Sequence, residues 1–350
     1  MPIDSIVKTL SDTRLSTYKK DNLCDATIEQ SLGLYVWNKQ LSGLFYPVLQ
    51  VLEISLRNAI YNAYIEDREQ DIETNYPEEQ WEAEKAKIDP LWFKNIYSLA
   101  NNSIAYRQLQ NAENDLHKEG KEITPDNLIA KLTFGFWVHM TDKKHRDGYV
   151  PTPIIALWPK LNRKVFPHAV DFHGHALSIN NISSCLFSVN KLRNRIAHHE
   201  PIWKAIDLYD SDDAINKVVQ QYDLCLKVIR WINPNNLKLL SIIENEKLMG
   251  IACSQHTLWR NKMLANGLST VPDLTGWDDR HKIDTQRTGE VIKSSDTFAL
   301  IRCEKSRTIF YTKKNLQKRR KAWPLVEGIK VYFIPKPSNS QYANAVQVKQ

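Results

Sequence analysis

Two arginines and two histidines, Arg193, Arg195, His198 and His199, fall within seven residues of one another, directly before Glu200-Pro201-Ile202-Trp203. Pro201 biases Glu200 away from helical geometry, so a helix carrying this cluster ends near His198 and His199. At about 100° per residue, Arg193 and His198 point to different faces, whereas Asn194 pairs with His198 and Arg195 with His199 at i,i+4. Imidazole exchanges protons near neutral pH, which suits a general acid or base, and guanidinium stabilises charge that develops on a phosphate. No partnered carboxylate triad accompanies them, so the set fits phosphodiester chemistry better than acyl transfer. A histidine can take the proton of a ribose 2′-hydroxyl or protonate a departing 5′-oxygen, a route that needs no metal. A helix end whose basic side chains only offset the dipole has the same spacing.

The elements that must position this cluster are helical. Leu34, Trp37, Leu41, Leu44, Phe45, Val48, Leu52, Leu56, Ile60 and Tyr64 recur every three or four residues, the stripe of one long amphipathic helix or a helix pair, with Pro47 as a kink or break. Residues 66–90 read as charged loop and then helix around 81–87. Residues 91–117 and 124–140 read as further helices, the latter opened by Thr124-Pro125-Asp126. Four prolines between 151 and 167 interrupt the pattern, residues 177–199 and 211–232 restore it, and Asn233-Pro234 ends it before a short amphipathic piece over 237–248. From about residue 285 the period falls to two. Five short runs rich in β-branched and aromatic residues, 290–293, 298–302, 308–311, 330–334 and 345–348, suit a small β-barrel. The expected organisation is a helical domain over 1–245, a connector over 246–284 and a basic β domain over 285–350.

The helical region carries a resemblance. Arg193-Asn194, three residues and His198 resemble the Arg-x4-6-His signature of HEPN ribonucleases, and the string from Leu192 to Trp203 resembles the Abi-like (abortive infection, AbiD/AbiF) branch. Glu53-Ile54-Ser55-Leu56-Arg57-Asn58 is similar to that family's Glu-x-x-Leu-Arg-Asn helix, and Thr133-Phe134-Gly135-Phe136-Trp137 to its Phe-Gly-Phe-Trp segment. The resemblance covers roughly residues 15 to 235. It implies a mainly α, HEPN-type domain and a metal-independent RNA endonuclease of abortive-infection or toxin-antitoxin type, leaving 2′,3′-cyclic phosphate and 5′-hydroxyl ends. Arg193 and His198 would be the catalytic pair, with Asn194 orienting the site and Arg195, His199 and Glu200 in support. HEPN sites are usually composite, and this chain has one copy of the motif, so a homodimer is implied. Glu53 and Arg57, an i,i+4 pair, would brace the helix against the motif helix. The other reading is a non-catalytic RNA-binding module held by a small RNA or a protein partner. A third is a sensor of phage DNA.

The β runs are similar in order to a cold-shock domain, an all-β OB barrel whose second and third strands carry stacking aromatics. Phe298, Phe310 and Tyr311 take those places. That family's Lys-Gly-Phe-Gly-Phe motif is replaced by Asp296-Thr297-Phe298-Ala299-Leu300. Six of the nine residues from 313 to 321 are basic, Lys313, Lys314, Lys318, Arg319, Arg320 and Lys321, a loop that can neutralise several phosphates. Barrel-core burial is the other reading of Phe298 and Phe310.

Composition agrees with this division. The 350 residues are 42% hydrophobic and 25% charged, which excludes a mostly disordered chain and a disulfide-held scaffold. The net charge of +7 is uneven. Residues 1–253 hold 29 basic against 32 acidic side chains, and residues 254–350 hold 18 against 8. A basic end on a near-neutral body suits a polyanion partner. The five cysteines are odd in number and widely spaced, as in a reducing cytoplasm. No apolar run reaches bilayer length and no leader pattern opens the chain, so a soluble cytoplasmic protein without membrane contact is expected. No cofactor is expected either. His168, Asp171, His173 and His175 lack a recognised zinc spacing, and the nucleotide-loop, dinucleotide and zinc-protease motifs are missing.

Overall fold

The computed structural model describes residues 2–19, 27–97, 104–149, 155–204, 210–264, 286–313, 323–336 and 342–349. The chain divides into two compact units, 1–270 and 271–350. The first is helical: α1 Pro2–Leu10, α2 Asp12–Lys19, α3 Ile28–Asn75, α4 Trp81–Lys85, α5 Trp92–Tyr97, α6 Ile104–Lys118, α7 Pro125–Lys131 and α8 Phe134–His139. Then follow α9 Asn162–Val165, α10 Ile179–Ala197, α11 Ser211–Ile232, α12 Leu237–Ile242, α13 Asn245–Ala252 and α14 Gln255–Leu264. No helix among the described residues is long and apolar enough to cross a membrane.

The axis of this unit is α3, one uninterrupted helix of 48 residues and roughly 70 Å. Thr27 caps it by accepting the Gln30 N–H, and the helix continues through Pro47. Leu34, Trp37, Leu41, Phe45, Val48, Leu52, Leu56 and Ile60 are all fully buried along it, so its packing outweighs the one backbone hydrogen bond that Pro47 removes. The charged stretch after Ile65, read above as loop, continues the helix to Asn75. Its buried Asp67 is held by Arg68 at 2.9 Å, Lys160 at 2.7 Å and Lys164 at 3.0 Å, so a polar face is packed through ion pairs where the sequence offers no apolar stripe.

Two other segments depart from the sequence reading. The single helix expected over 124–140 is two, because Leu132 leaves helical geometry and Thr133 caps a new start by accepting the Phe136 N–H. Residues 246–264, expected in the connector, fold as α13 and α14 and pack on α3. Trp37 donates its indole N–H to the Ala252 carbonyl at 2.8 Å. Gly33 lets α14 approach so closely that a Cβ there would stand 2.5 Å from the Asn261 carbonyl oxygen.

The second unit is a closed five-stranded barrel of β1 Arg287–Ser294, β2 Phe298–Cys303, β3 Ile309–Lys313, β4 Lys330–Lys336 and β5 Ala343–Lys349. The order around it is β1-β2-β3-β5-β4, with β3 and β5 parallel and every other pair antiparallel, the arrangement of an OB barrel. Val291, Ile301, Phe310, Val331 and Phe333 fill its core. The fold is thus mainly α with a small C-terminal all-β barrel.

Candidate functional site

The three sequence motifs, drawn from positions 53–58, 133–137 and 192–203, meet at Glu53. Its carboxylate, half-buried on α3, accepts the Phe134 backbone N–H and lies within electrostatic reach of Arg193 and Arg57. Phe134 is the first residue of α8, where a backbone N–H has no partner inside the helix, so the break at Thr133 supplies the donor that Glu53 takes. Burial raises the Glu53 carboxyl above its ordinary range, while Arg193, Arg57 and the Phe134 N–H pull it the other way. Glu53, Arg57 and Arg193 line one groove of about 370 Å³ between α3 and α10. Tyr46 and Ile54 stand exposed at 61% and 49%, large for apolar side chains, beside these charges. The structure thus brings Glu53 and Arg57 to Arg193 itself.

The end of α10 is built with more fixation than a helix stop requires. The Ser178 hydroxyl caps its start, and His198 stands at its C-cap. The His199 N–H bonds the Ile196 carbonyl at 3.1 Å and the Glu200 N–H the Arg195 carbonyl at 2.9 Å, a Schellman closure. The position that glycine normally takes in that closure is held by His199, at φ +59°. The three carbonyls that follow are each taken by a distant side chain. Arg14 donates to His198 O at 3.2 Å, Tyr18 to His199 O at 3.4 Å and Asn38 to Glu200 O at 3.1 Å. Asn38, fully buried, also accepts the Ile202 N–H at 2.9 Å and donates to the Tyr18 hydroxyl at 3.3 Å. Burial, reinforced by Tyr35, pushes the Tyr18 hydroxyl well up, so it remains a donor. Trp203 fills the space beneath against Tyr18 and Trp37, at ring distances of 6.0 and 6.3 Å.

This frame holds His198, His199 and Asn194 on the outside. All three are exposed and none lines the groove that contains Arg193. Arg195 turns to another face, donating to the Lys204 carbonyl at 2.9 Å with its Nε 3.9 Å from the Glu200 carboxylate. Sequence reasoning missed Arg14, Tyr18 and Asn38. Asn38 did carry a signal, since it lies one helical turn from Leu34 and Trp37 flanks it, on a face otherwise made of apolar residues.

Among the barrel residues, Phe298 and Tyr311 are partly exposed and stack on each other at 5.8 Å and 23°, with the Lys313 ammonium 5.6 Å from the Tyr311 ring. Phe310, expected with them, is buried in the barrel core 4.9 Å from Phe333, so it is not on the surface that carries the other two. Successive residues of a strand face opposite sides, which forbids Phe310 and Tyr311 from sharing a surface. Lys314, Lys318, Arg319, Arg320 and Lys321 lie outside the described residues. Asp171 accepts the N–H groups of His173 and His175, both at 2.9 Å, and so closes its own loop. Among the described residues no group of three or more His, Cys, Asp or Glu gathers as a metal site.

A family model described as Abi-like protein matches residues 6–204. No curated protein and no solved structure matches the chain. The matched span contains all three motif segments, together with Arg14, Tyr18 and Asn38.

Proposed function

Because the chain belongs to the Abi-like protein family, we propose that it is a defence protein of the abortive-infection or toxin-antitoxin type and acts as a metal-independent HEPN endoribonuclease. The observation that carries this reading is that Glu53, Arg57 and Arg193 line one groove and the Phe134 N–H of the third motif bonds the Glu53 carboxylate. In the proposed reaction the 2′-oxygen attacks the phosphorus as one His198 takes its proton, the bond from phosphorus to the 5′-oxygen breaks as the second protomer's His198 protonates that oxygen, and Arg193 stabilises the phosphorane charge. The products are a 2′,3′-cyclic phosphate and a 5′-hydroxyl. Glu53 acts as a positioning residue, orienting the Arg193 guanidinium rather than touching the phosphate. Asn194 orients the site.

Arg193 and His198 face different ways from one helix, so a single chain offers a phosphate-binding arginine and a proton-transfer histidine in separate places. A homodimer in which two α10 ends face each other would pair the arginine of one protomer with the histidine of the other. Exposed Tyr46 and Ile54 beside Arg193 support such a contact. The barrel, through Phe298, Tyr311 and Lys313, is the proposed holder of single-stranded nucleic acid, substrate or regulatory.

The test is sequencing of 5′-hydroxyl RNA ends from cells expressing wild-type, Arg193→Ala or His198→Ala protein. Ends present with wild type and lost with both variants, at unchanged thermal stability, support the reading. Equal cleavage by both variants refutes it. Tight RNA binding by the purified dimer with no cyclic-phosphate ends would establish the non-catalytic RNA-binding module in its place.

A further inference from the structure

The helical unit carries an outward apolar face at α12 and α13. Leu239 and Ile242 stand three residues apart on α12, Leu248 and Ile251 three apart on α13, and Ile243 lies between the two helices. All five are 44–78% exposed, while Leu240, Asn245, Met249 and Ala252 turn inward and are buried. A loosely held segment would expose such side chains by fraying, but this one is fixed. Glu244, in a left-handed conformation at φ +50°, separates the helices. Buried Asn245 pins the corner, accepting from the Tyr222 hydroxyl at 2.6 Å and donating to the Leu44 carbonyl at 3.1 Å. Asn236, directly before α12, donates to the Ser55 hydroxyl at 2.8 Å.

Together the five side chains leave on the order of 500 Å² in water, in the upper part of the roughly 300–600 Å² spanned by the largest apolar patch of a typical monomer. That is close to the apolar share of one side of a standard protein interface, whose whole area is about 800 Å² per partner. The charges of the same segment are balanced. Residues 237–252 hold two cations and two anions, Lys238, Lys247, Glu244 and Glu246, all exposed. A border with equal numbers of both signs complements itself across a two-fold axis, where each copy presents the same patch to the other. An anionic membrane calls for a basic border instead, and the two glutamates oppose it. We propose that the α12–α13 face packs against the same face of a second copy of this chain, with Ile242 and Ile251 inside the contact. This contact is separate from the pairing of α10 ends. The α12 helix starts on the Ser55 side of α3, and Ser55 lies about 200° around that helix from Glu53. A chain with two distinct two-fold contacts assembles beyond a dimer. The proposal depends neither on ribonuclease chemistry nor on the α10 pairing.

The experiment is analytical ultracentrifugation of the full-length chain as wild type, Ile242→Glu, Ile251→Glu, Leu248→Ser and Val326→Glu. Val326, an exposed valine of the barrel unit, is the control. Ile242→Glu and Ile251→Glu should each sediment at half the wild-type mass or less, with association weakened about a hundredfold or more, because a two-fold contact meets each new carboxylate twice. Leu248→Ser, which adds no charge, should weaken it about tenfold, and Val326→Glu should keep the wild-type mass. The substituted positions are exposed, so all variants should keep the wild-type melting temperature. With the α10 pairing in place the glutamate variants fall from four chains to two, and without it from two to one, so failure of either contact is seen separately. Amine cross-linking of a mixture of unlabelled and isotope-labelled chain identifies the occupant. Mixed-isotope links among Lys238 and Lys247 form only between copies, and they should appear in wild type and vanish in Ile242→Glu. Wild-type mass in both glutamate variants, or no mixed-isotope link at Lys238 or Lys247, overturns the proposal.

Discussion

Replacing Asn38 by leucine tests whether one buried amide holds the motif turn. The two side chains have the same number and branching of heavy atoms, so the change chiefly deletes hydrogen bonds. Three are lost: the Ile202 N–H to Asn38 Oδ1 at 2.9 Å, and Asn38 Nδ2 to the Glu200 carbonyl at 3.1 Å and to the Tyr18 hydroxyl at 3.3 Å. Ile202 is fully buried, so its N–H is left without an acceptor, at about 1–3 kcal/mol. Glu200 is exposed and water can replace the donor to its carbonyl, while Tyr18 keeps its bond to the His199 carbonyl, so these add about 1 kcal/mol together. The sum is about 3 kcal/mol, or a fall in melting temperature of about 6–12 °C for a body of this size. Urea denaturation followed by circular dichroism measures it, and a double-mutant cycle with Arg14→Ala measures coupling. The two side chains grip the His198 and Glu200 carbonyls of one turn, so the coupling should exceed about 0.5 kcal/mol. A loss below about 1 kcal/mol, or strictly additive losses, would refute the argument that the turn is fixed as a unit by these distant side chains.

Three further outcomes are expected. His199→Gly should stabilise the protein by about 1 kcal/mol, because a non-glycine residue at φ +59° carries that much strain, and lose RNA cleavage if the imidazole serves the site; a fall in melting temperature would show that the side chain stabilises the fold. Burial, with Lys144 adding and Asp142 opposing, pushes buried His145 down from 6.5 to about 4. Its neutral form is the folded form, so this stability is complete above pH 6.5 and about 3 kcal/mol is lost between pH 6.5 and 4; denaturation across that window should show a slope that His145→Gln lacks. In the barrel, Phe298→Ala or Tyr311→Ala should lower single-stranded RNA affinity by about 1–3 kcal/mol while the barrel keeps its fold, whereas Phe310→Ala should destabilise the barrel by about 3–5 kcal/mol; equal effects of all three on binding alone would contradict the assigned faces.

What could be read from the sequence follows from how local each signal is. The stripe from Leu34 to Ile60 announced α3 because burial of one face repeats every helical turn, and five alternating runs announced five strands. Thr124-Pro125 announced α7, since capping acts within three residues. The continuation of α3 past Ile65 was hidden because its partners, Lys160 and Lys164, lie nearly a hundred residues away. The break at Thr133 was hidden by an apolar pattern that fits one helix as well as two. At the candidate site the motif residues were legible as types, but their division into groups was not. Helical angles separated Arg193 from His198, yet only the groove lined by α3 and α10 shows that Arg193 joins Glu53. For Phe310 and Tyr311 the sequence already held the answer, because two neighbours in a strand cannot share a face.

The charge distribution also takes a different meaning once the side chains are placed. An excess confined to residues 254–350 suggests that the barrel alone meets the polyanion, since residues 1–253 sum to −3. That sum averages over a body in which several acidic side chains are paired away from α10: Asp67 and Asp71 to Lys160, Glu119 to Lys121 and Lys131, Glu73 to Lys85. Around α10 the balance is reversed. Arg57 and Arg193 face Glu53 on one side, and Lys191, Arg195, Lys204 and Lys217 enclose a pocket without a carboxylate on the other. Electrostatic attraction at a binding site depends on charges within about 10 Å, the screening length at 0.1 M salt, and not on the sum over a domain. The charge around the motif helix therefore differs from the sum over residues 1–253, and the proposed chemistry does not require the barrel to supply its cations.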